Sequence, residues 1–345
     1  MKIKILLIIL LLLVGCNKEQ DAEIDSIPSY KLNDYDILFP YNINNSRYWY
    51  SNFLTKNDSI SMVKSLQDYS KKIFPTSDYV MGGSSILSYD EIQMLQRRNS
   101  KEYPYALNLS SGSYEIIPGK FIDSPYVIYG VYELNFFDKS DVNILTGLSL
   151  SVMSDFKQFE DNTESSIAFV ENVSKRLVDY LKNEKNIDDN VDINIMFYQI
   201  EDDFSYVPGN FKYQYILSDN NISVNEINEK WIMVPSEELK NIDSQVYNDF
   251  NSIKSQIINF IPENVAIIGK SKFIDDNLHE LHLEIKMQAK TYNELYAMSQ
   301  FLLEAVSILK NESALINIKI KQHEVVSFII NKDYESQEFI VVDLN

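Results

Sequence analysis

Few side chains in this sequence stand out as chemically capable: one cysteine, three histidines and a large stock of carboxylates. His279 and His282 lie three apart in a stretch, Leu278 to Met287, whose alternation reads as a strand. An odd spacing on a strand points two side chains to opposite faces, so this pair is not expected to clamp a metal. The third histidine, His323, stands apart. Asp188-Asp189-Asn190-Asp192 and Asp275-Asp276-Asn277 carry oxygen ligands of the kind calcium takes. Neither has the spacing of an EF-hand loop, and both read as solvated turns. Gly82-Gly83-Ser84-Ser85 is too short for a phosphate cradle and reads as a bend, and no nucleophile elbow, Walker-type loop or dinucleotide fingerprint appears. With 50 acidic residues, no carboxylate pair can be singled out for glycosidase chemistry. The expectation is a protein that is not an enzyme and holds no cofactor and no metal.

The lone cysteine points to a different chemistry. Lys2 and Lys4 precede an uninterrupted apolar run from Ile5 to Leu13, and the chain then reads Leu13-Val14-Gly15-Cys16. A basic start, an apolar middle and a small residue before the cut are the parts of a secretory signal. The run is about half the roughly 20 residues needed to cross a hydrocarbon core, so it suits a cleaved signal better than a permanent span. Leu-Val-Gly-Cys resembles the lipobox read by lipoprotein-processing enzymes. That resemblance implies diacylglycerol attached to Cys16 through a thioether, and cleavage between Gly15 and Cys16. Two acyl chains hold a protein firmly where one does not, so the mature chain is expected on the outer face of the cell membrane, anchored through Cys16. A cysteine used this way leaves no thiol for catalysis, zinc or an intrachain disulfide.

Charge narrows the partners. The net charge of −19 becomes −21 when Lys2 and Lys4 leave with residues 1–15. Nucleic acid requires a basic footprint and is excluded as a partner. The 23 Tyr and 18 Phe reflect a composition rich in Ile, Asn, Lys and Tyr; the densest aromatic cluster, Tyr41 to Tyr50, is read as packing rather than as a sugar platform. The mature chain is expected to be a monomer whose ligand the sequence does not name.

The elements that would position any site are organised as an expected tandem repeat. Residues 16–34 are polar and acidic and read as a tether. Helical spacing at Val63, Leu66, Tyr69 and Ile73 ends at Phe74-Pro75 and hands over to an extended stretch, Tyr79 to Ile86. Phe250, Ile253, Ile257 and Ile261 do the same before Pro262 and the stretch Val265 to Phe273. Leu148, Leu150 and Val152 alternate with Ser149, Ser151 and Met153; later Leu281, Leu283, Ile285 and Met287 alternate with His282, Glu284 and Lys286. Each of these strands is followed by an amphipathic helix and another strand. Pro75 and Pro262 are 187 residues apart, whereas Leu148 and Leu281 are 133 apart, which implies about 54 extra residues in the first copy. The expected fold class is α+β: two related repeats, each with helices packed on a largely antiparallel sheet. The first repeat covers 35–206 with an insert at 85–145, a linker covers 207–235, and the second repeat covers 236–345.

Ordered motifs then become specific: Tyr206-Val207-Pro208-Gly209-Asn210-Phe211, Val234-Pro235-Ser236, Ile267-Ile268-Gly269-Lys270, and the strand Leu281 to Met287. With Phe74-Pro75, Leu95-Gln96-Arg97-Arg98-Asn99-Ser100, Tyr105-Ala106-Leu107-Asn108 and Leu145-Thr146-Gly147-Leu148-Ser149-Leu150, the pattern resembles the CamS family of lipoproteins from low-GC Gram-positive bacteria over most of residues 60–335. The resemblance implies two related α+β repeats without an established activity. It also implies that the signal peptide is a sex-pheromone precursor, the counterpart here being Ile9 to Gly15. Arg97, Tyr206, Asn210 and Trp231 are the candidates to line a cleft between the repeats. The competing classes are a lipid-anchored substrate-binding protein, usually built on parallel sheets that the alternating strands here disfavour, and a wall hydrolase working through carboxylates.

Overall fold

The computed structural model describes residues 25–29, 33–45, 47, 54, 56–160, 162–202, 204–261, 265–288, 290–309, 313–332 and 338–345. The expected signal peptide, Gly15, Cys16, Tyr48 to Tyr50 and Pro262 lie outside them. The first part of the chain forms β1 (Asp25–Ile27), β2 (Asp36–Phe39), α1 (Lys56–Ser70), β3 (Tyr79–Gly82), α2 (Tyr89–Leu95), β4 (Ser113–Ile117), β5 (Lys120–Asp123), β6 (Ile128–Asp138), β7 (Asp141–Ser154), α3 (Thr163–Asn183), β8 (Asp192–Gln199), β9 (Asn210–Ser218) and β10 (Asn221–Glu226). The second forms β11 (Glu229–Val234), α4 (Glu237–Ile242), α5 (Ser244–Phe260), β12 (Val265–Ile274), β13 (Asn277–Met287), α6 (Tyr292–Ala305), β14 (Leu315–Gln322), β15 (Val325–Lys332) and β16 (Ile340–Asp343). The fold is α+β. Among the described residues there are three sheets and six α-helices.

Eight strands pair in the order β1-β2-β3-β6-β7-β8-β9-β10, six in the order β11-β12-β13-β14-β15-β16, and β4 with β5 makes a small ribbon. Both large sheets contain the same local path. An antiparallel pair, β6–β7 or β12–β13, leads into a helix, α3 or α6; the helix crosses to a parallel neighbour, β8 or β14, and an antiparallel strand follows. The parallel pairs explain why helices intervene there, since parallel neighbours cannot be joined by a tight turn.

The helices are amphipathic and capped where the sequence supplies a cap. Asn162 accepts the amide of Ser165 at 2.8 Å to start α3, which then buries Phe169, Val173, Leu177 and Leu181. Thr291 and Glu294 form a capping box for α6, whose Leu295, Met298 and Leu302 are buried. With α4 and α5, α6 covers one face of the six-stranded sheet, including Leu281, Leu283 and Ile285. The eight-stranded sheet is covered on both faces. α3 packs on one, over Leu148, Leu150 and Val152; the other receives Met62, Leu66 and Tyr69 of α1 against Tyr132, Leu134, Phe136 and Met153.

Two segments sit differently from their sequence reading. Residues 85–145, expected as an insert, contain β6, which pairs along its length with β7 and is buried on both faces. The position of β12 next to β13 is thus taken in the first sheet by β6, while β3 pairs on the far side of β6. Its run from Tyr126 to Phe137 is apolar on both faces apart from the buried Glu133 and Asn135, because both faces are covered, which hides the period of two. Residues 207–235, expected as a linker, are largely strand: β9 and β10 finish the first sheet and β11 begins the second.

Candidate functional site

The site is built on the face of the six-stranded sheet opposite α4, α5 and α6. Strand register lays its side chains out in rows. Trp231 of β11 stands opposite Lys272 of β12, which stands opposite Glu280 of β13. The next row runs Met233, Lys270, His282, Asn317 and Asn331 across five strands, and the one after it Ile268, Glu284 and Lys319. α1 and Tyr206 overhang this floor, and the space between is a cleft of about 780 Å³ that Ile60, Ser61, Lys64 and Ser65 close on one side. A volume of that size falls within the roughly 300–1,000 Å³ of small-molecule sites.

One end of the cleft is sealed where Lys64 of α1 meets Glu280 and His282 of the sheet. Lys64 Nζ lies 2.7 Å from Glu280 Oε1, and His282 Nε2 lies 2.8 Å from Glu280 Oε2. Burial alone would raise the Glu280 carboxyl, but the hydrogen bond with His282 and the charges of Lys64 and Lys272 overcome it and hold the group at about 2. Deeper in, Lys272 donates to Ser65 Oγ at 2.7 Å and pairs with Glu229 at 3.1 Å, both charged side chains being almost completely buried. α1 is fixed at its first turn as well: Asp58 accepts the Tyr198 hydroxyl at 2.9 Å and the Gly209 amide at 2.6 Å.

Two glycines of the ordered motifs are required by close backbone approach. A Cβ at Gly209 would stand 1.8 Å from the carbonyl oxygen of Gln199, and one at Gly269 would stand 2.3 Å from that of His282. The first lets the loop after β8 bring Tyr206 over the cleft; the second keeps β12 against β13 beneath it.

Of the four residues expected in a cleft, Tyr206 and Trp231 line it. Trp231 carries Lys270 over its ring at 5.2 Å and His282 beside it at 5.7 Å between ring centroids. Asn210 is buried behind the site, where its amide donates to the Glu229 carbonyl at 2.6 Å and supports the start of β11. Arg97 lies elsewhere, after α2, donating to the Tyr103 hydroxyl at 2.8 Å. Lys64, Lys270, Glu280 and Lys319 were not among the sequence candidates. For Glu280 and Lys319 the signal was the alternation itself, because charged residues on every second position of β13 and β14 mark a face that is not packed into a core.

The histidines sit differently from strict alternation. The β12–β13 register slips at Lys272/Phe273, where Lys272 pairs with Glu280 but Phe273 with Leu278, so His279 is the extra residue of a bulge. His279 lines a second, smaller cleft with Asp68, Tyr69, Lys72 and Lys272, while His282 lines the main one. Burial, then Lys272, lower the His279 imidazole below its ordinary range. Among the described residues no three His, Cys, Asp or Glu come together as a metal site. Asp275 and Asp276 form the two-residue turn of the β12–β13 hairpin with positive φ, and Asp276 pairs with Lys230 at 2.6 Å. The amides after Gly82-Gly83-Ser84 close on the chain's own Glu133, which accepts from Ser85, Ile86 and Leu87 at 2.7–2.9 Å.

The crystal structure of a sex pheromone precursor from Lactobacillus salivarius subsp. salivarius superposes with a TM-score of 0.78 at 19% identity, covering 93% of this chain and 99% of that one. The structure of the C-terminal domain of the sex pheromone staph-cAM373 precursor from Staphylococcus aureus superposes at 0.67 with 18% identity, over 84% of this chain and 98% of that one. No curated protein matches the chain. The profile of the family described as CamS sex pheromone cAM373 precursor matches residues 41–338, which takes in every strand from β3 to β15 and every residue of the cleft. The chain therefore belongs to the CamS family of sex pheromone precursors.

Proposed function

We propose that the mature protein is a lipid-anchored, extracytoplasmic binding protein without catalytic activity, and that its ligand occupies the cleft between α1 and the six-stranded sheet. The observation that carries this reading is the cleft: a sheet face laid with ordered polar and charged rows, overhung by α1 and Tyr206 but not packed against α1 as the corresponding face of the first sheet is. A face meant only for solvent needs no overhanging wall tied to it by Lys64–Glu280 and by the buried Lys272 on Ser65.

Anchoring follows from Leu13-Val14-Gly15-Cys16 and the basic, apolar segment before it. The same cleavage that frees Cys16 releases Ile9 to Gly15, the counterpart of the pheromone segment in family members, so one cut gives two products. Mass spectrometry of the chain taken from its native membrane tests the anchor: added diacylglycerol mass on Cys16 is expected, and an unmodified thiol there overturns it. A synthetic peptide of residues 9–15 that fails to induce clumping or plasmid transfer in responsive donors overturns the pheromone part. For the folded part, a thermal-shift screen of the mature chain against sugars, peptides and phosphorylated metabolites is decisive. A ligand at 100 times its Kd adds about 2.7 kcal/mol, and absence of any shift that Trp231→Ala abolishes overturns the binding role.

A further inference from the structure

We propose that the floor of the cleft binds a phosphate-bearing small molecule between Lys270 and Lys319; this rests on the reading that the cleft is where the folded part binds. The chain as a whole carries −19, yet the lining of the cleft holds five lysines against two glutamates. Both glutamates already have cationic partners. Glu280 is held by Lys64 and His282, and Glu284 accepts from Lys321 at 2.7 Å. Lys270 and Lys319 differ from the other cations of the floor: among the described residues neither makes an ion pair or a hydrogen bond. Their strands, β12 and β14, flank β13 on its two sides, one row apart in register, so two ammonium groups without an ion pair stand on the same face on either side of His282 and Glu284. Like charges placed this way repel, and burial adds to the cost of Lys270, which an anion seated between them removes.

The chemistry of the donors favours phosphate over a planar carboxylate. A pair of lysines offers rotatable point charges suited to a tetrahedral group, whereas bidentate carboxylate recognition uses the flat arginine fork, and no arginine lines the cleft. The Asn317 and Asn331 side chains lie in the same row as Lys270 and add amide donors. Trp231, Met233 and Ile268 supply an apolar margin for the organic remainder of the ligand.

Calorimetry on the full mature chain with glycerol 3-phosphate and inorganic phosphate tests this, with malonate at matched ionic strength as the carboxylate comparison. Saturable binding of a phosphate probe, weakened at least tenfold by Lys270→Ala and by Lys319→Ala but unchanged by Lys212→Ala on the exposed side of β9, is the expected result. Binding by glycerol 3-phosphate alone would assign an organic phosphate, and binding by both would assign the phosphate group itself. Phosphate binding that survives both cleft variants, or malonate binding as tightly, overturns the proposal. If phosphate fails while a neutral ligand binds and Trp231→Ala removes it, this inference falls and the binding role stands; if nothing binds in the cleft, both fall.

Discussion

β7 and β13 occupy equivalent places in their sheets, each followed by a helical crossover to a parallel neighbour, and their residues correspond one for one. The core-facing positions agree: Leu148 with Leu281, Leu150 with Leu283, Val152 with Ile285. The other face diverges, with Ser149, Ser151 and Met153 against His282, Glu284 and Lys286. α1 lies over both of these faces. Its apolar side, Met62 and Leu66, presses on the first, where Ser149 is reduced to a small side chain that accepts the Ser70 hydroxyl at 2.7 Å. Its polar side, Lys64 and Ser65, touches only one end of the second. One helix thus buries one sheet and merely roofs the other, and the residues of each strand are matched to what stands opposite.

Exchanging residues between the two strands is the strongest way to break the comparison. Ser151→Glu places a carboxylate with no cation on a fully buried face, and is expected to cost more than about 4 kcal/mol or to prevent folding, read by urea denaturation. Next in size is Glu229→Gln, which leaves Lys272 buried without its charge partner at the junction of α1 and the second sheet. A loss of about 3–4 kcal/mol is expected, and Glu229→Leu with Lys272→Met should restore much of it; a single variant as stable as the parent would show that the pair does not hold the junction.

Acid sharpens the same contrast. Glu280 is held at about 2 in the folded chain, below its unfolded value, so its contribution is complete above about pH 4.5 and disappears as the pH falls toward 2. Glu280→Gln should lower stability at pH 7 by roughly 2–3 kcal/mol and flatten the acid slope over that window. Glu91, which caps α2 in the first region, is also held at about 2: burial opposes this, but the Ser88 amide, Lys185 and the Tyr180 hydroxyl outweigh it. Part of the slope should therefore survive in Glu280→Gln, and an unaltered slope would remove Glu280 from the account. The smallest effect is expected from Glu284→Ser, the reciprocal of the first exchange. On the open face it should change stability by less than about 1 kcal/mol, and a larger loss in a melting experiment would mean that this face is buried as the first one is.

Local signals were legible where a residue's role depends on its chain neighbours. Helical spacing identified α1, α3, α5 and α6, alternation identified β7 and β13, and proline and the ordered motifs placed the breaks. β6 was misplaced because a strand buried on both faces loses the alternation that marks one buried on a single face. Trp231 and Tyr206, named as cleft candidates, line the cleft, whereas Arg97 lies elsewhere, and nothing local told that its partner would be Tyr103. The bulge that gives His279 its own cleft is a register event between two strands, invisible along one.

The sequence by itself determined the segment that resembles a lipid-anchored leader, the α+β class, the family, and the charged alternate positions of β13 and β14, because each is written in neighbouring side chains and their period. Only the tertiary structure decided that those charges form the floor of a cleft, that α1 roofs it through Lys64–Glu280 and Ser65–Lys272, and that Lys270 and Lys319 are left without an ion pair among the described residues. The pairs close over sequence separations of 216 residues for Lys64 and Glu280 and 207 for Ser65 and Lys272. Period tells which way a side chain points; only the packing of one sheet against another's helix tells what it meets.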